Sequence, residues 1–196
     1  MRKYAFAGVI LVCAALGAYF LLVPKGQLRN EPISQTMKNN NNAAVSSMTL
    51  KSSAFGENDP IPSRFTCDGE NVNPFLEIKG APRDAKSLAL IVDDPDATNG
   101  KTWNHWLLWN IDPHTQYISE GSLPQGAVEG TTSFGAVRYG GPCPPRGNPA
   151  HRYQFKLYAL DTTLELPEGA LKSQVLTAIQ GHVMAEAVLT GRYGRK

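Results

Sequence analysis

The chain has 196 residues, room for one ordinary domain plus an appendage, and its 42% hydrophobic and 18% charged content is that of a globular protein. A formal charge of +2 is too small to argue for nucleic acid. No extended basic run or RNA- or DNA-binding signature is present, so no nucleic-acid partner is expected. The 18 glycines and 14 prolines are scattered among apolar stretches, which suggests an all-β domain with many turns rather than disorder.

At the N-terminus Arg2 and Lys3 precede an uncharged run from Tyr4 to Val23. Its length approaches the ~20 residues that a membrane-spanning helix needs. Two readings compete. An uncleaved signal anchor uses the whole run. A cleaved signal peptide would be cut at Ala15-Leu16-Gly17, but apolar residues continue past that point. A lipoprotein signal at Cys13 is disfavoured because Val12 stands where a small residue belongs. The expectation is an exported chain, held in the membrane by residues 1–23 and facing the periplasm or extracellular side, or soluble in the periplasm after cleavage. Residues 24–47 are polar and aperiodic, with a run of asparagines from Asn39 to Asn42, and read as a disordered linker. The folded domain is expected over 48–196.

Within it, strands are predicted at Thr49–Phe55, Phe75–Ile78, Ser87–Asp93, Asn104–Ile111 and Tyr153–Leu160, each bounded by Gly, Pro, Asn or Asp. Leu171, Val175, Leu176 and Ile179 recur at helical spacing, with Gly181 as a stop. The stretch from His182 to Tyr193 then favours strand again. Runs of strands with one late helix, and no regular alternation of the two, predict an antiparallel two-sheet β-sandwich: all-β with minor α.

Alternation along a strand gives each residue a face. Leu88, Leu90 and Val92 share one, and continuing the parity adds Asp94. His105 falls with Leu107, Trp109 and Ile111, which would turn Trp106 and Leu108 to the opposite face. His151 and Tyr153 fall with Phe155, Leu157 and Ala159. In each case an ionisable side chain ends an apolar stripe. If the third and fourth strands pair antiparallel, Asp94 and His105 meet at one edge of the sheet, and His151 can join them. That is the expected pattern of a small-ligand pocket, with apolar walls and a few convergent polar groups. Plainer explanations stand beside it: histidines at strand ends are commonly satisfied structural residues, and Asp94-Pro95-Asp96 has the composition of a turn. Bulges can also break the parity. His114 reads as a solvated turn residue, and His182 carries no assigned chemistry.

The loop from Gly140 to Pro149 is dense in glycine and proline, which makes a stiff collar of unusual shape. Cys67 and Cys143 are the cysteines of the domain. They pair if the compartment is oxidising, or remain as two buried thiols, and the sequence leaves both open.

Two stretches, "DDPDATNGKTWNHWLLWNI" and "GPCPPRGNPAHRYQFKLYALD", resemble the phosphatidylethanolamine-binding, or Raf-kinase-inhibitor-like, family in its bacterial branch. "RFTCDGENVNPFLEI" and "IQGHVMAEAVLTGRYGR" fit the same branch, so the resemblance runs from about Thr49 to Arg195. It implies a β-sandwich with a small pocket for phosphate-like anions and phospholipid head groups. It also implies a pocket built from Asp94, Trp103, His105, His151 and Tyr153, with a rim from Gly141 to Pro145 that includes Pro144. Thr98 departs from the family pattern, which has proline there. Animal members carry a closing helix and tyrosine after the point where this chain stops, so a more open site is expected.

The chemistry expected is binding, not catalysis. Asp94 would charge and orient His105 or His151, whose N–H groups would meet phosphate oxygens, with collar amides adding donors. Trp103 and Tyr153 would supply wall and a cation–π face for ethanolamine or choline. No nucleophile signature or recognisable metal-ligand spacing accompanies the histidines, so neither enzyme activity nor a metal or cofactor is expected. A protease or kinase target is the alternative partner; for an exported domain a protease or envelope protein fits better than a cytoplasmic kinase.

Overall fold

The computed structural model describes residues 48–98 and 100–196; the expected membrane segment and linker lie outside them. In chain order the elements are β1 (Thr49–Ser52), a 3-10 turn (Ser63–Phe65), β2 (Leu76–Lys79), β3 (Ser87–Asp94), β4 (Trp103–Ile111), β5 (Tyr117–Ile118), β6 (Val128–Glu129), β7 (His151–Leu160), α1 (Lys172–Ile179) and β8 (Val183–Tyr193). All strand pairs are antiparallel, and they form two sheets ordered β1-β2-β5 and β6-β4-β3-β7-β8. The two-sheet sandwich with one helix is the architecture that the strand runs predicted.

The larger sheet is buried on both sides at β3 and β4. One face packs on the small sheet through Leu88, Leu90, Val92, Trp106, Leu108, Phe155 and Leu157, against Leu50, Leu76 and Ile78. The other face, with Ala89, Ile91, Leu107 and Trp109, is covered by Val175 and Ile179 of α1. All eight residues of β3 are therefore buried, which explains a continuous apolar run where a half-exposed strand would alternate. Each such Leu or Ile contributes about 1.5–3 kcal/mol of burial. Only Val175 and Ile179 of the periodic helix residues face inward; Leu171 and Leu176 are exposed, because an eight-residue helix on a sheet buries only a narrow stripe. Gly181, just past the helix, takes φ 83° and turns the chain into β8.

The parity assigned to β4 is corrected. Val92 faces Trp106 while Asp93 faces Asn104, so His105 is the extra residue of a bulge. Across that bulge the side-chain phase flips. His105 lies on the inter-sheet side with Trp106 and Leu108, and Leu107 and Trp109 turn to the helix layer. A second irregularity falls between Leu88 and Leu90, opposite which β4 carries Asn110 at φ 55°. Asparagine tolerates that left-handed conformation, and here its amide exchanges hydrogen bonds with the backbone of Leu164 (3.0 and 2.8 Å). Ile111 thereby returns to the inter-sheet core.

β1 ends at Ser52 rather than Phe55, since the Ser52 hydroxyl accepts from the Ala54 N–H and donates to the Phe75 carbonyl. The two-residue strands β5 and β6 were not predicted; they are too short to carry a periodic signal. No helix among the described residues is long and apolar enough to cross a membrane.

Candidate functional site

Asp94 closes β3, Trp103 opens β4, and His151 opens β7, so three strands deliver their ends to one edge of the sheet. Between them lies a hollow of about 210 Å³ lined by Asp94, Trp103, His105 and His151, with Phe134 and the collar residues Cys143, Pro144 and Pro145 completing the wall. Ala97 and Thr98 close the side next to Asp94.

The polar groups are tied in a fixed order. Asp94 Oδ2 accepts from His151 Nδ1 at 2.8 Å, and both side chains are buried. Asp94 Oδ1 accepts the Asp96 N–H at 2.8 Å. Asp96 in turn takes both arms of the Arg152 guanidinium (2.9 and 2.7 Å) and the Arg152 backbone N–H (2.9 Å). The Arg152 hydrogen bonds hold the Asp96 carboxyl at a pKa of about 2, well below the usual range. Asp94-Pro95-Asp96 is thus both a turn and a brace that clips the end of β3 to the start of β7.

His105 is held differently. Its Nδ1–H donates to the Gly140 carbonyl at 2.6 Å, and its ring sits edge-on to Phe134 and Tyr153, with centroids 5.3 and 5.1 Å away. Burial pushes its pKa down, outweighing the Gly140 carbonyl and the Asp94 charge that pull the other way. Of the two histidines that Asp94 was expected to orient, the structure pairs it with His151, and His105 is biased towards the neutral imidazole.

Tyr153 is fully buried beneath the site, its ring against those of both histidines, rather than part of the lining. Burial, and then the nearby Asp94 charge, raise its pKa well above the usual phenol value. The hydroxyl has no hydrogen-bond partner among the described residues.

Gly141 is corrected as a rim residue. It lines a neighbouring hollow of about 270 Å³ with Asn71, Arg138 and Tyr139. Its N–H is given to Asn71 Oδ1 at 2.7 Å, and a Cβ there would run into the Phe65 carbonyl. The collar amides of Gly140 and Gly147 are also committed, to the His105 and Arg195 carbonyls. The collar residues that line the hollow are Cys143, Pro144 and Pro145, and the two prolines have no N–H to give. The collar's position is pinned by Cys67 and Cys143, whose sulfurs lie 2.05 Å apart across 76 residues of chain. In the chain-entropy account, closing a loop of that length stabilises the fold by about 4 kcal/mol.

Phe134 went unrecognised in the sequence. It stands in the loop "TTSFGA", with no periodicity to mark it, yet packs on Trp103 (5.4 Å) as well as His105 and is 48% exposed. Its only available signal was a large aromatic between polar residues and a glycine. Among the described residues no group of three His, Cys, Asp or Glu is placed to hold a metal ion.

Comparison with known proteins agrees with this fold. The family model described as phosphatidylethanolamine-binding protein matches residues 51–194. A UPF0098 protein of Methanothermobacter thermautotrophicus is 52% identical over 153 residues, covering 76% of this chain and 99% of that protein. Among solved structures, the phosphatidylethanolamine-binding protein homologue CT736 of Chlamydia trachomatis is 40% identical with a TM-score of 0.73, covering 77% of this chain and 99% of its own. YbcL of E. coli, a member of the mammalian family by its description, is 31% identical with a TM-score of 0.73, covering 76% and 99%. With a matching family model across the whole folded region and relatives that it spans almost end to end, this chain belongs to the phosphatidylethanolamine-binding protein family.

Proposed function

We propose that the hollow binds a phosphate-like anion, free or as the head group of a phospholipid, as a recognition site and not as a centre of turnover. The observation that carries this reading is the buried Asp94–His151 pair in the wall of a mostly apolar hollow. The carboxylate accepts from His151 Nδ1, which leaves Nε2 as the ring atom open to a ligand, able to donate to a phosphate oxygen when it carries a proton. His105, held neutral with its proton on Nδ1, offers an Nε2 lone pair, which suits an ammonium N–H or a protonated phosphate oxygen. A donor and an acceptor facing one small space complement a zwitterionic phosphoethanolamine group. Trp103 and Phe134 supply aromatic surface for its cationic end.

Titration calorimetry on the full chain with inorganic phosphate and with phosphoethanolamine tests the proposal. Saturable binding of at least one, weakened about tenfold or more in His151→Asn by loss of a charge-assisted hydrogen bond, is expected. No heat from either ligand overturns it.

Inhibition of a protease or kinase is the alternative reading. A solved carboxypeptidase Y inhibitor, in complex with its proteinase, is 16% identical with a TM-score of 0.51, a likeness of fold alone. No contact surface follows from it. For location, we infer export with residues 1–23 as anchor, in line with their apolar run and with a Mycobacterium tuberculosis relative, 39% identical, that is provisionally named a lipoprotein. Fractionation of tagged protein should place it with membranes; recovery in the cytosol contradicts the inference.

A further inference from the structure

Each pocket histidine has one ring nitrogen committed and the other left open. His151 Nδ1 is bonded to a carboxylate and His105 Nδ1 to a backbone carbonyl, at 2.8 and 2.6 Å. Neither acceptor has a proton to give, so both rings carry hydrogen on Nδ1. No hydrogen bond engages either Nε2 among the described residues, and both side chains line the same hollow.

The two rings are held by unlike partners. His151 Nδ1 is bonded to the Asp94 carboxylate. His105 Nδ1 is bonded to a neutral carbonyl, the rings of Phe134 and Tyr153 pack on it, and burial outweighs the Asp94 and Asp93 charges to disfavour its protonated form. One hollow therefore holds a lone-pair nitrogen on His105 and, facing the same space, the second imidazole of His151. Edge-on packing by two aromatic rings keeps the His105 ring from swinging, so its lone pair has a fixed line of approach.

We propose that His105 Nε2 is a phosphoryl acceptor, taking the phosphoryl group of an acyl phosphate held in the hollow to form a phosphohistidine. The inference rests on the reading that the hollow accepts phosphate-like anions. The Nε2 lone pair forms the N–P bond as the bond from phosphorus to the acyl oxygen breaks. That electron pair leaves with the carboxylate, which needs no proton. Nδ1–H stays on the Gly140 carbonyl throughout, so the phosphorylated ring is a cation whose charge is balanced by its own phosphoryl oxygens, and His151 faces the same hollow. Water later cleaves the N–P bond and releases inorganic phosphate. The event is a stoichiometric modification of the pocket, and while it lasts the hollow is closed to a second anion.

The experiment incubates the full chain with acetyl phosphate, followed by intact mass, phosphorus NMR and fragmentation, with phosphate calorimetry in parallel. One acid-labile phosphoryl group on His105 is expected. It should be absent in His105→Asn, whose amide can keep the bond to the Gly140 carbonyl, and about tenfold or more slower to form in His151→Asn. Phosphate binding without an adduct overturns this inference and leaves the anion-site reading standing. An acid-stable adduct on Thr98, which lines the same hollow, also overturns it. Neither binding nor adduct removes both. Site mapping on the wild-type chain decides the matter even if a variant fails to fold.

Discussion

His105 sits where two tendencies oppose each other. The Gly140 carbonyl and the charges of Asp94 and Asp93 favour its protonated form, and burial disfavours it more strongly. A folded-state pKa below the ordinary value of about 6.5 has a definite consequence for stability. Above that pH neither state is charged and the native form is unpenalised. As pH falls through it towards the lower folded-state value, the unfolded chain takes up a proton that the native site resists, and stability drops. Thermal midpoints measured between about pH 7.5 and pH 5.5 should fall, and His105→Asn should flatten part of that slope. An unchanged slope contradicts the assignment. Much of the residue scale was legible: Asp94, His105 and His151 stand out by type and position and Trp103 by the family resemblance, and all four line one hollow. Which histidine the carboxylate would choose was not, because partner choice depends on angstrom-scale placement that the strand pattern does not encode. Phe134 escaped for a related reason, being brought to the site by a loop.

At the scale of elements, β3 and β7 keep a regular period and β4 does not. The faces read for Leu88–Asp94 and His151–Ala159 match the structure, since their mutual pairing runs without a break from Ser87↔Leu160 to Asp93↔Gln154. In β4 two irregularities shift the phase, and strict alternation sends Trp106 and Leu108 the wrong way. The first of these has a functional effect. Without the extra residue, His105 and Trp106 could not both face the inter-sheet side. The bulge is supported by Asn104, whose Nδ2 reaches the Val92 and Trp106 carbonyls and Asp93 Oδ1 (3.0, 3.3 and 3.2 Å). Bulges commonly re-aim a side chain beside a site. The sequence carried an asparagine there, but asparagine has too many uses to announce one.

For the molecule as a whole, the sandwich supplies a rigid frame, and the collar supplies a wall fastened at both ends. One fastening is the Cys67–Cys143 link; the other is the Gly147 N–H given to the carbonyl of Arg195, whose guanidinium is held by Asp68 (2.8 and 2.9 Å). The architecture was readable because strand runs, turn residues and one short helix all point to the same layered fold. The collar's inner surface was not, since glycine and proline announce stiffness without saying which backbone amides are already bonded. The claim on which the rest depends is that one anion meets two histidines at once. Nitrogen-15 NMR of the imidazoles during a phosphate titration tests it most directly. The account predicts that the Nε2 signals of His105 and His151 move together along one saturation curve, while His114 and His182 stay still. Movement of neither pocket ring, or equal drift of all four, contradicts it.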